Sequence, residues 1–328
     1  MSNIEVIGLG ALNIDRIYRV EHILTDGETV VNESMLSPGG SAANTIYGLA
    51  RLGLSTGFLG VVGNDTEGRA MVRDFKKVGV DTSQIGVKRR VKTGSAVCLS
   101  DDEGKRSLYV SPGANNQLTM DDLDLSYINQ AKWLHLSSFV DDRQLKLVLE
   151  LMDSLNSSVK VSFSPGTLYA VRGLTALTPI LVKTQVLFVN QYEMQQLSGM
   201  NFETGAEECL KQGCQVVVVT LGKGLEIQRE TPTPVKVTGV GYVRDAKNKY
   251  IIEAPGLSEP AFVDTTGAGD AFATGFLYGL LRRKELKECG LIGDITARFA
   301  TAKLGARQGL PTLKELSRRY RQLHSREL

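Results

Sequence analysis

The chain has 328 residues, of which 42% are hydrophobic and 23% are charged, and its formal net charge at pH 7 is +2. A chain of this length buries about three quarters of the surface that it exposes when unfolded, which predicts one large α/β domain. The even mixture of charges argues against a nucleic-acid binder, and scattered cysteines without a Cys-x-x-Cys pair argue against a zinc site. No secretion signal or membrane-length apolar run is visible, so we expect a cytoplasmic protein with a small-molecule partner.

The first predicted element is a strand. Residues 4–10 are mostly apolar and end in Gly-Leu-Gly, as a buried parallel strand would. Asn13 and Asp15 follow, two residues apart and therefore on one side of the extended chain. An amide and a carboxylate in this arrangement suit the hydroxyl groups of a sugar, although an ordinary Asx turn would use the same residues.

A small sheet and a glycine-rich turn come next. Residues 16–36 alternate apolar and polar, which predicts strands. Residues 38–44 read Pro-Gly-Gly-Ser-Ala-Ala-Asn and lead into apolar residues at helical spacing, so a helix should begin at this turn. Further along, Thr93–Leu99 and Arg106–Val110 predict a hairpin around a polar turn.

Strands and helices alternate in the second half of the chain. Strands are predicted at Trp133–Leu136, Val159–Phe163, Val186–Val189 and Val216–Leu221, with a helix over residues 142–155. This alternation predicts right-handed βαβ crossovers and a parallel sheet. Pro232 and Pro234 mark a loop, and a basic amphipathic helix is predicted within residues 312–328.

The last motif occupies residues 264–270, Asp-Thr-Thr-Gly-Ala-Gly-Asp, followed by apolar residues at helical spacing. Small residues let a ligand approach the backbone, and the first turn of a helix binds anions such as phosphate. We therefore expect Gly267, Ala268 and Gly269 to form an anion hole beside Asp270, whose pKa the helix dipole should lower. Taken alone, these residues could simply cap a helix.

Residues 264–270 resemble the C-terminal signature of the ribokinase-like (PfkB) carbohydrate kinases, and residues 38–44 resemble the N-terminal signature. The resemblance extends over nearly the whole chain. It implies a three-layer α/β/α sandwich with a central, mostly parallel sheet and a small β-sheet lid. The whole of residues 1–328 would then be a single kinase domain, with the lid formed by about residues 11–36 and 88–112.

The resemblance also implies roles for single residues. Those that would contact the acceptor are Asn13, Asp15, Gly39, Gly40 and Asn44. Those that would bind ATP and Mg²⁺ are Asn190, Glu193, Thr220 and Gly222, with Glu193 reaching the metal through water. Asp264, Thr266, Ala300 and Gly305 match positions where many relatives bind a monovalent cation such as K⁺, although Gly309 replaces a side-chain ligand found in some of them.

The sequence therefore predicts an ATP-dependent kinase that phosphorylates a hydroxymethyl group of an unphosphorylated sugar, with Asp270 as general base. Ser41 stands where relatives acting on sugar phosphates usually carry Lys, and the acceptor motifs contain no basic residue. A nucleoside kinase of the same superfamily is the alternative, because such enzymes share both glycine signatures. A non-catalytic sugar-binding module and ADP as the donor are weaker alternatives. The resemblance also allows a homodimer formed through the lid.

Overall fold

A computed structural model describes residues 4–101, 106–229, 235–254 and 263–328. The strands in these ranges are β1 (Val6–Leu9), β2 (Asn13–Val20), β3 (Val31–Gly39), β4 (Thr56–Gly63), β5 (Ile85–Lys88), β6 (Gly94–Asp101), β7 (Arg106–Ser111), β8 (Trp133–Ser137), β9 (Lys160–Ser164), β10 (Thr184–Asn190), β11 (Val216–Arg229), β12 (Val235–Asp245) and β13 (Lys249–Glu253). The predicted turn of the hairpin between β6 and β7 and the loop at Pro232 and Pro234 lie outside the described residues.

The helices are α1 (Ser41–Arg51), α2 (Thr66–Lys77), α3 (Leu125–Ile128), α4 (Asp142–Ser154), α5 (Gly166–Ala170), α6 (Gly173–Leu181), α7 (Gln191–Ser198), α8 (Phe202–Lys211), α9 (Ala268–Leu281), α10 (Leu286–Thr301) and α11 (Leu313–His324). The helices predicted after the two glycine-rich turns are confirmed as α1 and α9. The predicted helix over residues 142–155 is α4, and the basic helix near the end of the chain is α11.

The larger sheet has nine strands in the order β13-β12-β11-β10-β9-β8-β1-β4-β5. Neighbouring strands from β11 to β5 are parallel, whereas β12 and β13 add an antiparallel edge. The mostly parallel sheet is therefore confirmed. Because the parallel strands all point the same way, their carboxyl ends lie along the same side of the sheet, which we call its carboxyl edge.

Helices cover both faces of this sheet. In β1, Ile7 and Leu9 belong to one hydrophobic core with residues of α4 to α8. Val6, on the opposite face of the strand, belongs to a second core with residues of α1, α2, α9, α10 and α11. Side chains of a strand alternate between its two faces, so each face of the sheet has its own helical layer. This is the three-layer α/β/α sandwich that the sequence predicts.

The smaller sheet has four strands in the order β3-β2-β6-β7. The β6–β7 pair is antiparallel, with Cys98 opposite Leu108, as the predicted hairpin requires. Its buried face packs around Ile17, Ala96 and Cys98. Cys98 is one of four cysteines that are all free and buried.

The predicted boundary of β11 is wrong. The strand was expected to end at Leu221, but it continues to Arg229 and pairs along its length with β12. The pairing register shifts between Thr220 and Leu225. Gly222 and Gly224 interrupt the apolar run of the sequence at this point, which is why the sequence predicts the end of the strand there. Among the described helices, none combines the length and the apolar content that crossing a membrane requires.

Candidate active site

The two glycine-rich turns lie side by side at the starts of α1 and α9. Gly40 precedes α1 with a φ of 101°, and Gly267 precedes α9 with a φ of 74°. Both values lie in the left-handed region that favours glycine. The helices then pack closely, because a Cβ on Gly48 would lie only 2.7 Å from the side chain of Thr274. The fold thus joins motifs that are far apart in the sequence.

Asp270, in the first turn of α9, is hydrogen-bonded to residues at the start of α1. The hydroxyl of Ser41 donates to Asp270 Oδ1 at 2.7 Å, and Asn44 Nδ2 donates to Asp270 Oδ2 at 2.8 Å. The hydroxyls of Thr274 and Thr45 donate to the main-chain oxygen of Asp270 at 2.9 and 3.3 Å. Both the backbone and the carboxylate of Asp270 are therefore fixed by neighbouring side chains.

The expected direction of the Asp270 pKa is wrong. Burial of the carboxylate raises its pKa above the ordinary value, and this effect outweighs the hydrogen bonds from Asn44 and Ser41, which lower it. The sequence argument considered only the helix dipole, whereas the packing of α1 against α9 removes water from the group. A raised pKa makes Asp270 a stronger base than an exposed aspartate.

The turn before α9 contains the residues predicted to bind an anion. A Cβ on Gly267 would lie 2.5 Å from Cβ of Ala306, whereas a Cβ on Gly269 would meet no heavy atom within 4 Å. Ala268 N donates to Thr265 O at 3.2 Å, so this N–H group is used within the turn. Gly269 and Asp270 belong to the first helical turn, whose N–H groups have no acceptor within the helix. Gly269 therefore faces open space next to Asp270.

Asn13 is held by Asn115, a residue that the sequence analysis did not single out. Asn115 Nδ2 donates to Asn13 Oδ1 at 2.9 Å, and Asn115 Oδ1 accepts a hydrogen bond from the main-chain N–H of Leu12 at 2.9 Å. The amide oxygen of Asn13 is thus occupied, which leaves its NH₂ group to donate. Asn115 lies in a stretch whose sequence resembles the kinase family, but that likeness gave no role to any one residue.

Asp15 lies on β2, on the buried side of the smaller sheet. Its carboxylate occupies the space that a side chain at position 39 would need, which explains Gly39. Burial raises the pKa of Asp15 from 3.8 to about 7, and the charge of Asp270 adds to this effect while that of Arg307 opposes it. Asp15 and Asp270 therefore influence each other's protonation.

Arg307 was missed by the sequence analysis, because it lies 263 positions from its partner Asn44. It is only 4% exposed. Its Nε donates to Asn44 Oδ1 at 2.9 Å, Nη1 donates to Asp74 Oδ2 at 2.8 Å, and Nη2 donates to Gly39 O at 3.3 Å. The acceptor motifs contain no basic residue, but the fold brings the guanidinium of Arg307 into hydrogen-bonding contact with Asn44 and Gly39 of these motifs.

Arg106 adds a second positive charge near the site. It lies on β7 of the smaller sheet, and its Nη1 donates to Thr265 O at 3.4 Å, in the turn before α9. Its charge lowers the pKa of both Asp15 and Asp270, in each case against the larger effect of burial. Arg16, on β2, is instead 3.6 Å from Glu67. The smaller sheet thus contributes a cation that reaches the anion-binding turn.

Asn190 and Glu193 form a reciprocal cap at the start of α7. Asn190 Oδ1 accepts from Glu193 N at 2.8 Å, and Glu193 Oε2 accepts from Asn190 N at 3.0 Å. Burial raises the pKa of Glu193, and the charge of Asp270 acts in the same direction. Thr220 pairs with Asn190 across the neighbouring strands β10 and β11, with Gly222 two residues beyond. These residues share the carboxyl edge of the sheet.

Asp264 connects the residues of the suggested cation site. Its Oδ1 accepts from Thr266 N at 2.9 Å and its Oδ2 accepts from Gly305 N at 2.8 Å. A Cβ on Gly309 would lie 2.8 Å from Ala300 O, so the chain packs tightly against the end of α10 there. The fold therefore brings Asp264, Thr266 and Gly305 together.

An α/β/α sandwich with a glycine-rich turn and carboxylates near the carboxyl ends of its parallel strands has the architecture of a protein that binds a small-molecule ligand there. Residues 1–313 match the family model described as pfkB family carbohydrate kinase, and the chain belongs to this family. It is accordingly an enzyme that transfers phosphate from ATP to a sugar or a nucleoside.

Several relatives refine the comparison. An uncharacterized sugar kinase of Archaeoglobus fulgidus is 36% identical over 80% of this chain and 98% of its own length. An ATP-dependent ribose-1-phosphate kinase of Halopiger xanaduensis is 29% identical over 93% and 94% of the two chains. A nucleoside kinase of Methanocaldococcus jannaschii is 27% identical over 95% and 94%. The crystal structure of a Thermotoga maritima ribokinase superposes with a TM-score of 0.76 at 25% identity, covering 95% of this chain and 98% of that one.

Proposed function

We propose that the enzyme transfers the γ-phosphoryl group of ATP to a hydroxymethyl oxygen of an unphosphorylated sugar, with Asp270 as general base. The observation that carries this proposal is the setting of Asp270. Its carboxylate is oriented by Ser41 and Asn44, its pKa is raised by burial, and the open side of Gly269 lies next to it. A binding module would not need a partly buried carboxylate at this position.

In the proposed reaction, Asp270 accepts the proton of the acceptor hydroxyl as that oxygen bonds to the γ-phosphorus. The bond from the γ-phosphorus to the oxygen bridging the β- and γ-phosphates breaks, and ADP leaves. Negative charge on the transferred group lies near the first turn of α9, where N–H groups and the helix dipole stabilise it. Of the predicted anion hole of Gly267, Ala268, Gly269 and Asp270, the N–H group of Ala268 is used within the turn, so the N–H groups of Gly269 and Asp270 would act at this point.

A neutral polyol fits the acceptor side best. Asp15 can accept hydrogen bonds from hydroxyl groups and Asn13 can donate them. The space beside Gly39 and Gly40 is taken up by the Asp15 carboxylate and the main-chain oxygen of Ala11. Three of the five N–H groups of Arg307 donate to Asn44, Asp74 and Gly39, and the residue is only 4% exposed, so it is poorly placed to bind an acceptor phosphate. Arg106, which reaches the turn before α9, is the residue that would favour a phosphorylated acceptor. One relative is a ribose-1-phosphate kinase, so sugar phosphates belong in the substrate test.

Asn190, Glu193, Thr220 and Gly222 are proposed to bind the nucleotide and its metal. When bound, Mg²⁺ would neutralise charge on the phosphates. Glu193 fits this ion because one of its oxygens serves the helix cap while the other can bond a metal-held water. Asp264, Thr266, Ala300 and Gly305 are the proposed monovalent-cation residues, and both Asp264 oxygens already accept main-chain N–H groups.

Residues 11–36 and 88–112 are proposed to form a lid, since they supply most of the sheet that carries Asp15 and Arg106. The contact from Arg106 to Thr265 supports a closed arrangement over the anion turn. The outer face of this sheet exposes Leu36 and Tyr109, each 61% accessible, and such apolar exposure supports a homodimer through the lid. Size-exclusion chromatography with light scattering on the Leu36→Glu variant would test this contact.

A nucleoside acceptor is the second candidate, favoured by the nucleoside kinase among the relatives. A coupled assay of ADP formation across pentoses, hexoses, nucleosides and their phosphates separates the two. The proposal expects the highest kcat/KM with a neutral sugar. A higher value with a nucleoside would establish the second candidate, and one with a sugar phosphate would refute the neutral acceptor.

A further inference from the structure

We propose that Arg307 is a positioning residue for phosphoryl transfer, because it fixes the side-chain amide of Asn44 in the orientation that Asp270 requires. The inference rests on the proposed role of Asp270 as base. Arg307 itself reaches the reaction only through Asn44. Its Nε donates to Asn44 Oδ1 at 2.9 Å, while Asn44 Nδ2 donates to Asp270 Oδ2 at 2.8 Å.

The guanidinium, the amide and the carboxylate can form these two hydrogen bonds in only one arrangement, in which Arg307 donates to Asn44 and Asn44 donates to Asp270. A guanidinium can only donate and an ionised carboxylate can only accept, whereas an amide has one end of each kind. If the amide of Asn44 were flipped, its NH₂ group would face the donors of Arg307 and its oxygen would face the oxygens of Asp270. Both contacts would then be repulsive. The guanidinium thus determines that Asn44 presents its NH₂ group to the base.

Arg307 is itself immobilised. Its Nη1 pairs with Asp74 at 2.8 Å, and its guanidinium carbon lies 5.1 Å from the ring centres of Tyr47 and of Phe75. Its Nη2 donates to Gly39 O, next to the turn that starts α1. A buried guanidinium that has an ionic partner and donates from each of its three nitrogens keeps its geometry well. The orientation of Asn44 is therefore set by a rigid group.

The charge of Arg307 also acts on the carboxylates. It lowers the pKa of Asp15 and of Asp270 against the larger effect of burial. The other charged groups that influence these carboxylates include Arg106 and Asp264, and Asp74 partly neutralises Arg307 itself. Removing Arg307 should therefore shift the acidic limb of the pH–rate profile upward. A residue that served only to hold the fold together would leave this limb in place.

The test is a double-mutant cycle that combines Arg307→Gln with Asn44→Ala, measured with the best acceptor from the substrate screen. We expect Arg307→Gln to lower kcat about tenfold or more in the wild-type background, leave the KM for ATP nearly unchanged, and lower kcat less than about twofold when Asn44 is already Ala. Equal factors in both backgrounds, or an unshifted acidic limb, would overturn the proposal. Arg244→Gln is the control, because Arg244 of β12 pairs with Glu207 of α8, at the end of the sheet opposite the carboxyl ends of the parallel strands.

Arg307→Lys covers the case in which Arg307→Gln does not fold. Lysine keeps the positive charge but cannot span Asn44, Asp74 and Gly39 with one ammonium group. We expect it to return the acidic limb to its wild-type position while kcat stays low, and wild-type kcat in this variant would contradict the positioning role. Asp270→Asn separates the two proposals: if it is fully active, both are refuted, and if it is inactive while the cycle is additive, the role of Arg307 alone is refuted.

Discussion

The hydroxyl of Ser41 donates a hydrogen bond to Asp270 Oδ1 at 2.7 Å, although 229 positions separate the two residues in the chain. Ser41 is the first residue of α1 and Asp270 lies in the first turn of α9. The two glycine signatures are therefore halves of one structure, since each helix start supplies groups that the other needs. The N-terminal signature orients the proposed base in addition to any contact with the acceptor.

The first prediction concerns Asp270 itself. Asp270→Asn keeps the shape of the side chain but replaces one accepting oxygen with a donor, so it cannot take the hydroxyl proton. We expect kcat to fall by on the order of 10² to 10⁴ while the KM values for both substrates change little. Steady-state kinetics would measure this, with thermal unfolding as a check on folding. A variant with nearly wild-type kcat would remove Asp270 from the mechanism.

The second prediction contrasts two glycines of the anion turn. Gly267→Ala forces a side chain into a left-handed backbone and to within 2.5 Å of Cβ of Ala306, so the melting temperature should fall. Gly269→Ala adds a methyl group in open space within a helix, which should leave the fold intact or stabilise it by up to about 1 kcal/mol.

If the space beside Gly269 receives the transferred phosphoryl group, Gly269→Ala should nevertheless lose most of its kcat. Differential scanning fluorimetry and the kinase assay on the same two preparations measure both properties. An active Gly269→Ala enzyme would mean that no ligand approaches the backbone at this point.

The sequence predicts more of the fold than of the candidate site. The order of strands and helices follows from local patterns. The helix over residues 142–155 is therefore predicted to within one residue at each end, β1 lies within the predicted residues 4–10, and α1 and α9 begin at the two glycine-rich turns as predicted. The antiparallel strands β12 and β13 could not be predicted, because β12 is stabilised by pairing with β11, and β13 by pairing with β12, and neither has a strong pattern of its own. The glycines at the register shift between Thr220 and Leu225 also interrupt the apolar pattern of β11, so its continuation was not predicted.

The candidate site shows the same limit. Asn13, Asp15 and Asp270 stand in motifs, so their residue types and spacing are visible in the sequence. Arg307 and Asn115 act through partners more than 100 positions away, and no local pattern marks such a contact. The pKa of Asp270 was predicted in the wrong direction for a related reason, since desolvation is a property of the packed structure.

The third prediction concerns pH. Burial raises the pKa of Asp15 to about 7, so the group is largely protonated at pH 6 and largely ionised at pH 8. If the ionised carboxylate accepts hydrogen bonds from the acceptor, the KM for the acceptor should fall as pH rises through about 7. Asp15→Asn should have a higher acceptor KM that does not follow this titration. A wild-type acceptor KM that is constant between pH 6 and 8 would contradict the assignment.

The same shift has a consequence for stability. The pKa of Asp15 in the folded state lies above its ordinary value of 3.8, so the folded state holds this proton more tightly than the unfolded state does. The resulting stabilisation is complete below about pH 4 and is lost as pH rises through about 7. The melting temperature of Asp15→Asn, relative to that of the wild type, should therefore be more favourable at pH 8 than at pH 5. A difference that is the same at both pH values would argue against a raised pKa.

The fourth prediction separates the structural role of Glu193 from the proposed metal role. Glu193 caps α7 through Oε2, and glutamine at this position of a helix can serve the same cap. Glu193→Gln should therefore unfold at nearly the wild-type temperature, yet it lacks the charge that would attract Mg²⁺ and its waters. We expect a several-fold higher Mg²⁺ concentration for half-maximal activity at fixed ATP, while Glu193→Ala should also lose stability because the cap is removed. If Glu193→Gln responds to Mg²⁺ as the wild type does, the carboxylate serves only the start of the helix.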